Sequence, residues 1–170
     1  DHSLGPRLHN AGFGAIDLDA VYLPMPVEAG WESFKATLAV LTDTPAMGFA
    51  GGSITIPHKD HALRLVRERG GTVDPLAELI GAVNTLHIAE DGTLHARNTD
   101  APAVLDALTA DGSSADGRRV AVIGAGGGVG SGCGPEPLAR LGRRQHGVAG
   151  AEDGLGNGAA FRLRAGHAGH

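Results

Sequence analysis

Apolar positions recur first at helical and then at strand spacing along the chain. In "SLGPRLHNAGFGAI", Leu4, Leu8, Ala11, Phe13 and Ile16 fall near a helical period, and Gly12 and Gly14 weaken its end. "DAVYLPMPV", residues 19–27, predicts a strand whose prolines put it at an edge or an end. "GWESFKATLAVLTD" predicts an amphipathic helix with Trp31, Phe34, Leu38 and Leu41 on one face. "GGSITI" predicts a second strand, and "PHKDHALRLVRERG" a helix opened by Pro57 and closed by Gly70. "DPLAELIG" predicts a short helix. "AVNTLHIAEDGTLHARN" predicts a hairpin turning at Asp91-Gly92, and "TDAPAVLDALTADG" returns to helix. "RRVAVIGAGGG" is an apolar strand running into glycines.

Strand and helix alternate through residue 127, which predicts an α/β fold with helices packed on the faces of a sheet. "DGSSADGRR", residues 111–119, reads as a linker between two units, and no internal repeat is present. Of 28 glycines, 12 fall in the 43 residues from Gly128 on, a segment without Ile, Thr, Lys, Tyr, Trp or Met. A buried core is hard to build from it, so 131–170 is expected to be disordered.

A net charge of −5 gives no electrostatic case for nucleic acid. One cysteine excludes an internal disulfide framework and fits a reducing compartment such as the cytoplasm. No apolar run reaches a membrane span, and no charged-then-apolar secretory leader is expected. The chain opens on Asp1 rather than methionine, so its true beginning is expected to be missing.

Lys59 stands in the first turn of the predicted helix after "TIP", where the dipole is positive and a cation is disfavoured. It is either a surface lysine with its head in water or a proton donor and acceptor. The second reading needs a carboxylate partner. Asp100, in "NTDAP", is that candidate, unless it only complements the dipole of a helix capped by Asn98 or Thr99. Asn84 is polar within an apolar strand, which suggests a specific hydrogen-bonding duty. Thr55 is ordinary for a strand. "VAVIGAGGGVG" suggests a phosphate-binding turn opened by Gly124, Gly126 and Gly127, although "GSGCGPEP" is a poor helix to follow it. No cluster completes a metal site around His58 and His61, which read as solvated, and Cys133 has no catalytic context.

Together, "DHSLGPRLHNAGF", "DAVYLPMPV", "GGSITIPHK", "PLAELIGAVNTL", "NTDAPAVLDAL" and "VAVIGAGG" resemble the shikimate dehydrogenase family, in its order, over residues 1 to about 127. The resemblance implies a three-layer substrate domain with a mostly parallel sheet in residues 1–110 and a linker at 111–119. The start of an NADP-binding Rossmann domain follows at 120–130. It implies reversible, NADPH-dependent reduction of 3-dehydroshikimate to shikimate. Lys59 and Asp100 would be the catalytic pair, and Ser3, Thr55, Asn84 and Asp100 would hold the substrate. Gly124, Ala125, Gly126 and Gly127 would hold NADP. An NAD-dependent quinate/shikimate dehydrogenase and a non-catalytic shikimate-binding module are the alternatives. Oligomeric state stays open.

The family's early motif is usually Ser-x-Ser-Pro, where this chain has Ser3-Leu4-Gly5-Pro6, so one hydroxyl is lost. The family's first strand is absent, which should leave a sheet edge unpaired. After Gly127 the resemblance stops, and a tail read out of frame would account for it. Codons chosen for Gly130 through Pro137 can encode Ala-Arg-Ala-Val-Ala-Leu-Ser-Leu one base later. With the Arg-Thr segment for the NADP 2′-phosphate missing, impaired cofactor binding and little activity are expected of this chain.

Overall fold

The computed structural model describes residues 3–110, 112 and 158–162. In chain order these form α1 (Gly5–Ala15), β1 (Ala20–Pro24), α2 (Trp31–Asp43), a 3-10 turn (Pro45–Met47), β2 (Phe49–Ser53) and α3 (Lys59–Glu68). There follow β3 (Thr72–Val73), α4 (Pro75–Ile80), β4 (Thr85–Ile88), β5 (Leu94–Arg97), α5 (Asp100–Thr109) and β6 (Gly158–Arg162). The six strands make one mixed sheet in the order β1-β6-β2-β4-β5-β3. The glycine turn at 120–130, the linker at 111–119 apart from Gly112, and Cys133 lie outside the described residues.

The core follows from the apolar periods. Phe34, Leu38 and Leu41 are buried at one stripe of α2, and Ala62, Leu63, Leu65 and Val66 at one stripe of α3. They meet Ala77 of α4 and Leu86, Leu94 and Ala96 of the hairpin. Leu86 stands opposite Ala96 and Ile88 opposite Leu94, so these four share the core face of the hairpin. Thr85, His87, His95 and Arg97 alternate onto the other face and line an open groove.

The charged stripes of α2, α3 and α4 tie them to one another. Arg69 grips Asp43 with two bonds, Nη1 to Oδ1 at 2.5 Å and Nη2 to Oδ2 at 2.9 Å. This clamp holds the Asp43 carboxyl below its ordinary range. Arg67 pairs with Glu78 across α3 and α4, and Arg64 with Glu68 one turn on, lowering both carboxyl groups. Arg64 also lies over the Trp31 ring, 3.9 Å from its centre.

The sheet is not mostly parallel. Among the described strands only β3 and β5 pair in parallel; the β4–β5, β2–β4, β1–β6 and β2–β6 ladders are antiparallel. The Asp91-Gly92 hairpin, closed by Gly92 N–H to the Ala89 carbonyl at 3.0 Å, dictates the first of these. The strand expected over "GGSITI" instead spans Phe49–Ser53, and the chain then turns over Thr55–His58, where the His58 N–H donates to the Thr55 carbonyl at 2.9 Å. Pro57 therefore precedes α3 rather than opening it. At Gly51, with φ +151°, a Cβ would sit 2.3 Å from the Leu86 carbonyl, so β2 and β4 approach there only because the residue is glycine.

No unpaired edge is left beside β1 on its inner side. β6, from a segment expected to lack structure, fits between β1 and β2. On the outer side the Asn10 side chain imitates a strand: its Oδ1 accepts the Tyr22 N–H at 2.7 Å and its Nδ2 donates to the Tyr22 carbonyl at 2.9 Å. His9 stacks on Tyr22 with ring centres 4.2 Å apart. These contacts hold α1, none of whose residues is buried.

Candidate active site

Lys59 is the first residue of α3, and what fixes it is its neighbour. His58 is fully buried, stacked on Phe34 with ring centres 4.9 Å apart. Its Nε2 faces the Val27 carbonyl at 3.2 Å, which can only accept, so Nε2 carries the proton. Its Nδ1 lies 3.1 Å from the Nδ1 of His61, so the two rings share a hydrogen bond. The solvated reading of His58 is therefore wrong. Its partners lie 31 residues upstream or one helical turn away, beyond what local periodicity reveals. The Lys59 carbonyl accepts the Val83 N–H at 2.9 Å, which ties the start of α3 to the approach of β4.

Asn84 stands where three segments converge. Its carbonyl accepts the Ile54 N–H at 2.7 Å, and its N–H donates to the Arg97 carbonyl at 3.1 Å. Its side-chain Nδ2 donates to Asp100 Oδ1 at 2.8 Å and to Thr99 Oγ1 at 2.9 Å. Its Oδ1 accepts the Thr85 hydroxyl at 2.8 Å and the Thr99 N–H at 3.0 Å. Asn84 is not within the strand, as the sequence suggested, but one residue before β4, where the approach to the hairpin uses both a donor and an acceptor.

Asp100 begins α5, where the dipole favours a carboxylate. Thr99 holds the N-cap position, and the side-chain acceptor comes from Asn98 before it, whose Oδ1 accepts the Asp100 and Ala101 N–H groups at 3.0 and 3.3 Å. With that duty met by Asn98, Asp100 turns to Lys59: Nζ lies 2.5 Å from Oδ2. Its two oxygens are thus engaged by Lys59 and Asn84, and the side chains of the ion pair are 17% and 37% exposed.

A pair this accessible contributes about 0–1 kcal/mol to stability. Placing an ammonium at a helix N-terminus costs about 0.3–1 kcal/mol. The two roughly offset, so stability does not explain the arrangement. What it offers is an Nζ donor, a carboxylate beside it, and side chains still partly exposed to a polar ligand.

Of the predicted residues, the structure joins Lys59, Asn84 and Asp100 in one hydrogen-bonded group and adds Thr99. Thr55 lies on the turn that delivers Lys59, its carbonyl accepting the His58 N–H at 2.9 Å. Ser3 stands apart at the start of α1, its Oγ accepting the Gly5 N–H at 3.3 Å. Gly124, Ala125, Gly126 and Gly127 lie outside the described residues. Among the described residues no group of three or more His, Cys, Asp or Glu is placed to hold a metal ion, and no helix is long and apolar enough to cross a membrane.

Residues 1–86 match the model of the shikimate dehydrogenase substrate-binding domain. The chain is 45% identical over 143 residues to the shikimate dehydrogenase (NADP(+)) of Citrifermentans bemidjiense, covering 84% of this chain and 46% of the relative. It is 43% identical over 126 residues to that of Methanothermobacter thermautotrophicus, covering 74% and 41%. Its fold is similar to shikimate 5-dehydrogenase from Thermus thermophilus in complex with shikimate, with a TM-score of 0.64 and 33% identity over 82% of this chain and 49% of that one. The shikimate 5-dehydrogenase from Listeria monocytogenes, in complex with shikimate and NAD, gives 0.62 and 32% over 76% and 42%. The chain spans less than half the length of these relatives. By the domain it matches and the fold it shares, it belongs to the shikimate dehydrogenase substrate-binding domain family.

Proposed function

We propose that residues 1–110 are the shikimate-binding half of an NADP-dependent shikimate dehydrogenase, with Lys59 and Asp100 as its proton-transfer pair. The observation that carries this reading is the Lys59–Asp100–Asn84 group, exposed on one side, in a chain of this family. A cyclohexene acid with vicinal hydroxyls suits such a group. Asn84 and Thr55 would bond hydroxyls and Ser3 the carboxylate. Lys59 Nζ would give a proton to the C3 oxygen as the ketone becomes an alcohol and accept it in the reverse direction. Asp100 would keep the ammonium in place and offset its charge. NADPH, when bound, would supply the hydride in this direction and NADP+ would take it in the reverse; Gly124, Ala125, Gly126 and Gly127 are the residues that would hold the cofactor.

Gly5 is where the chain departs from the family's second serine. A Cβ there would lie 3.3 Å from Ser3 Oγ and 3.5 Å from the Tyr22 ring, so a side chain fits only if Ser3 gives slightly. Weaker carboxylate binding follows from its absence.

Titration of the purified chain with shikimate tests the reading. Saturable binding that weakens in Lys59→Ala and Asn84→Ala is expected, and no saturable binding at tens of millimolar overturns it. NADP reduction by shikimate should be slow or undetectable with this chain. A rate near that of an intact dehydrogenase would overturn the expectation of an impaired cofactor site.

A further inference from the structure

We propose that the Tyr22 hydroxyl is a ligand-binding group which, with Ser3 and the N-terminus of α1, receives the carboxylate of the substrate. The inference deepens the function proposed above and rests on it for the identity of the ligand.

The phenol is fixed by α1. Asn10 holds the Tyr22 backbone at both its N–H and its carbonyl, at 2.7 and 2.9 Å. The ring stacks on His9, with 4.2 Å between centres and 21° between planes. The residue is only 5% exposed. A phenol so buried ordinarily finds a hydrogen-bond partner for its hydroxyl. Among the described residues Tyr22 Oη has none, yet no buried side-chain oxygen or nitrogen is left unpartnered. The hydroxyl is therefore the part of Tyr22 that still reaches solvent. It is a donor on a ring already immobilised, so a ligand bonding to it has little side-chain entropy to remove.

The surroundings of that hydroxyl set the ligand class. Gly5 is the first residue of α1. A Cβ there would lie 3.9 Å from Tyr22 Oη and 3.3 Å from Ser3 Oγ, so both hydroxyls border one small space at the start of the helix. Leu4, at the N-cap, has no side-chain oxygen to offer, and the first turn carries no acidic residue. The positive end of the α1 dipole is thus uncompensated by its own side chains, which suits an anion. Ser3 Oγ accepts the Gly5 N–H at 3.3 Å and keeps its own hydrogen to donate. Tyr22 adds a second donor. Two hydroxyl donors beside a helix start match the charge and the two oxygens of a carboxylate, and hydrogen bonds to an ionised acceptor are the stronger kind. The hydroxyl this chain lacks at position 5 is in part made up by Tyr22, from the neighbouring strand.

Tyr22 is the only tyrosine of the chain, so it can be observed alone. The full chain made with tyrosine isotope-labelled at Cζ should give one Cζ resonance. Shikimate should shift it, with a saturation curve that matches the Kd from calorimetry. Tyr22→Phe keeps the ring on His9 and the backbone on Asn10, so its Tm should not move, while its Kd for shikimate should rise about tenfold or more. A resonance that stays put while calorimetry reports binding, or an unchanged Kd in Tyr22→Phe, overturns the inference and leaves the Lys59–Asp100 reading standing. A lowered Tm in Tyr22→Phe also overturns it, because the hydroxyl would then have a structural duty. A shift as large with the methyl ester of shikimate, which carries no negative charge, overturns the assignment to the carboxylate. Absence of saturable shikimate binding by the unaltered chain overturns the function proposed above, and this inference with it.

Discussion

Replacing Lys59 with methionine should separate what the residue does for the fold from what it does for a ligand. Methionine keeps an unbranched apolar stem of similar length, so the covered part of the lysine side chain, only 17% exposed, stays covered. The lost ion pair is worth about 0–1 kcal/mol at this exposure. Removing a cation from the N-terminus of α3 returns about 0.3–1 kcal/mol. The net change in unfolding free energy should therefore be within about 1 kcal/mol, a shift of a few degrees in Tm for a domain of this size. Asp100 does not become an uncompensated buried charge, because it is partly exposed and still accepts from Asn84. The ligand loses a charge-assisted hydrogen bond, about 1.5–3 kcal/mol, so shikimate Kd should rise about 10- to 150-fold. Urea unfolding followed by fluorescence of Trp31 gives the first quantity and calorimetric titration the second. A stability loss above about 2 kcal/mol with little change in affinity would refute the reasoning, because Lys59 would then be structural.

Four other outcomes follow from the same geometry. Asn84→Ala removes a side chain with partners on Thr85, Thr99 and Asp100; it should destabilise by about 2–3 kcal/mol in urea titrations and loosen Asp100 as well. Gly51→Ala puts a Cβ against the Leu86 carbonyl at a positive φ and should cost more than about 2 kcal/mol, read as a fall in Tm. Gly5→Ser should tighten shikimate binding about fivefold, a gain near 1 kcal/mol for one added hydrogen bond, measured by titration. The carboxyls of Asp43, Glu68, Glu78 and Asp91 all titrate lower when folded, so the stability they contribute is present above about pH 4.5 and lost as pH falls through their folded values. The urea midpoint should fall between about pH 5 and 3, and Arg69→Ala should make that fall shallower by removing the clamp on Asp43.

The elements of the fold were readable in the chain wherever a period ran long enough. α2 and α3 show one buried stripe each, and the hairpin turns at the Asp91-Gly92 step that its sequence marks. Sheet direction was not readable, because pairing partners such as Gly51 and His87 are set by contacts far apart in sequence. The strand at Gly158–Arg162 was not readable either. Its composition carries no strand period, and what makes it a strand is the pair of backbones waiting on either side.

The candidate site divides in the same way. Lys59, Asn84 and Asp100 could be singled out because each sits awkwardly for its expected local structure: a cation at a helix start, an amide in an expected strand that in fact begins one residue later at Thr85, and a carboxylate beside Asn98. Each awkward placement is resolved by another of the three, Lys59 by Asp100 and Asp100 by Asn84. His58 could not be singled out, because it satisfies local expectation as a polar residue beside a helix start. Only the tertiary structure buries it on Phe34 and against Val27. The residue that positions the lysine was thus harder to see than the lysine itself. A group that breaks a local rule announces itself in a sequence, whereas a group that obeys the rule while supporting the one that breaks it does not.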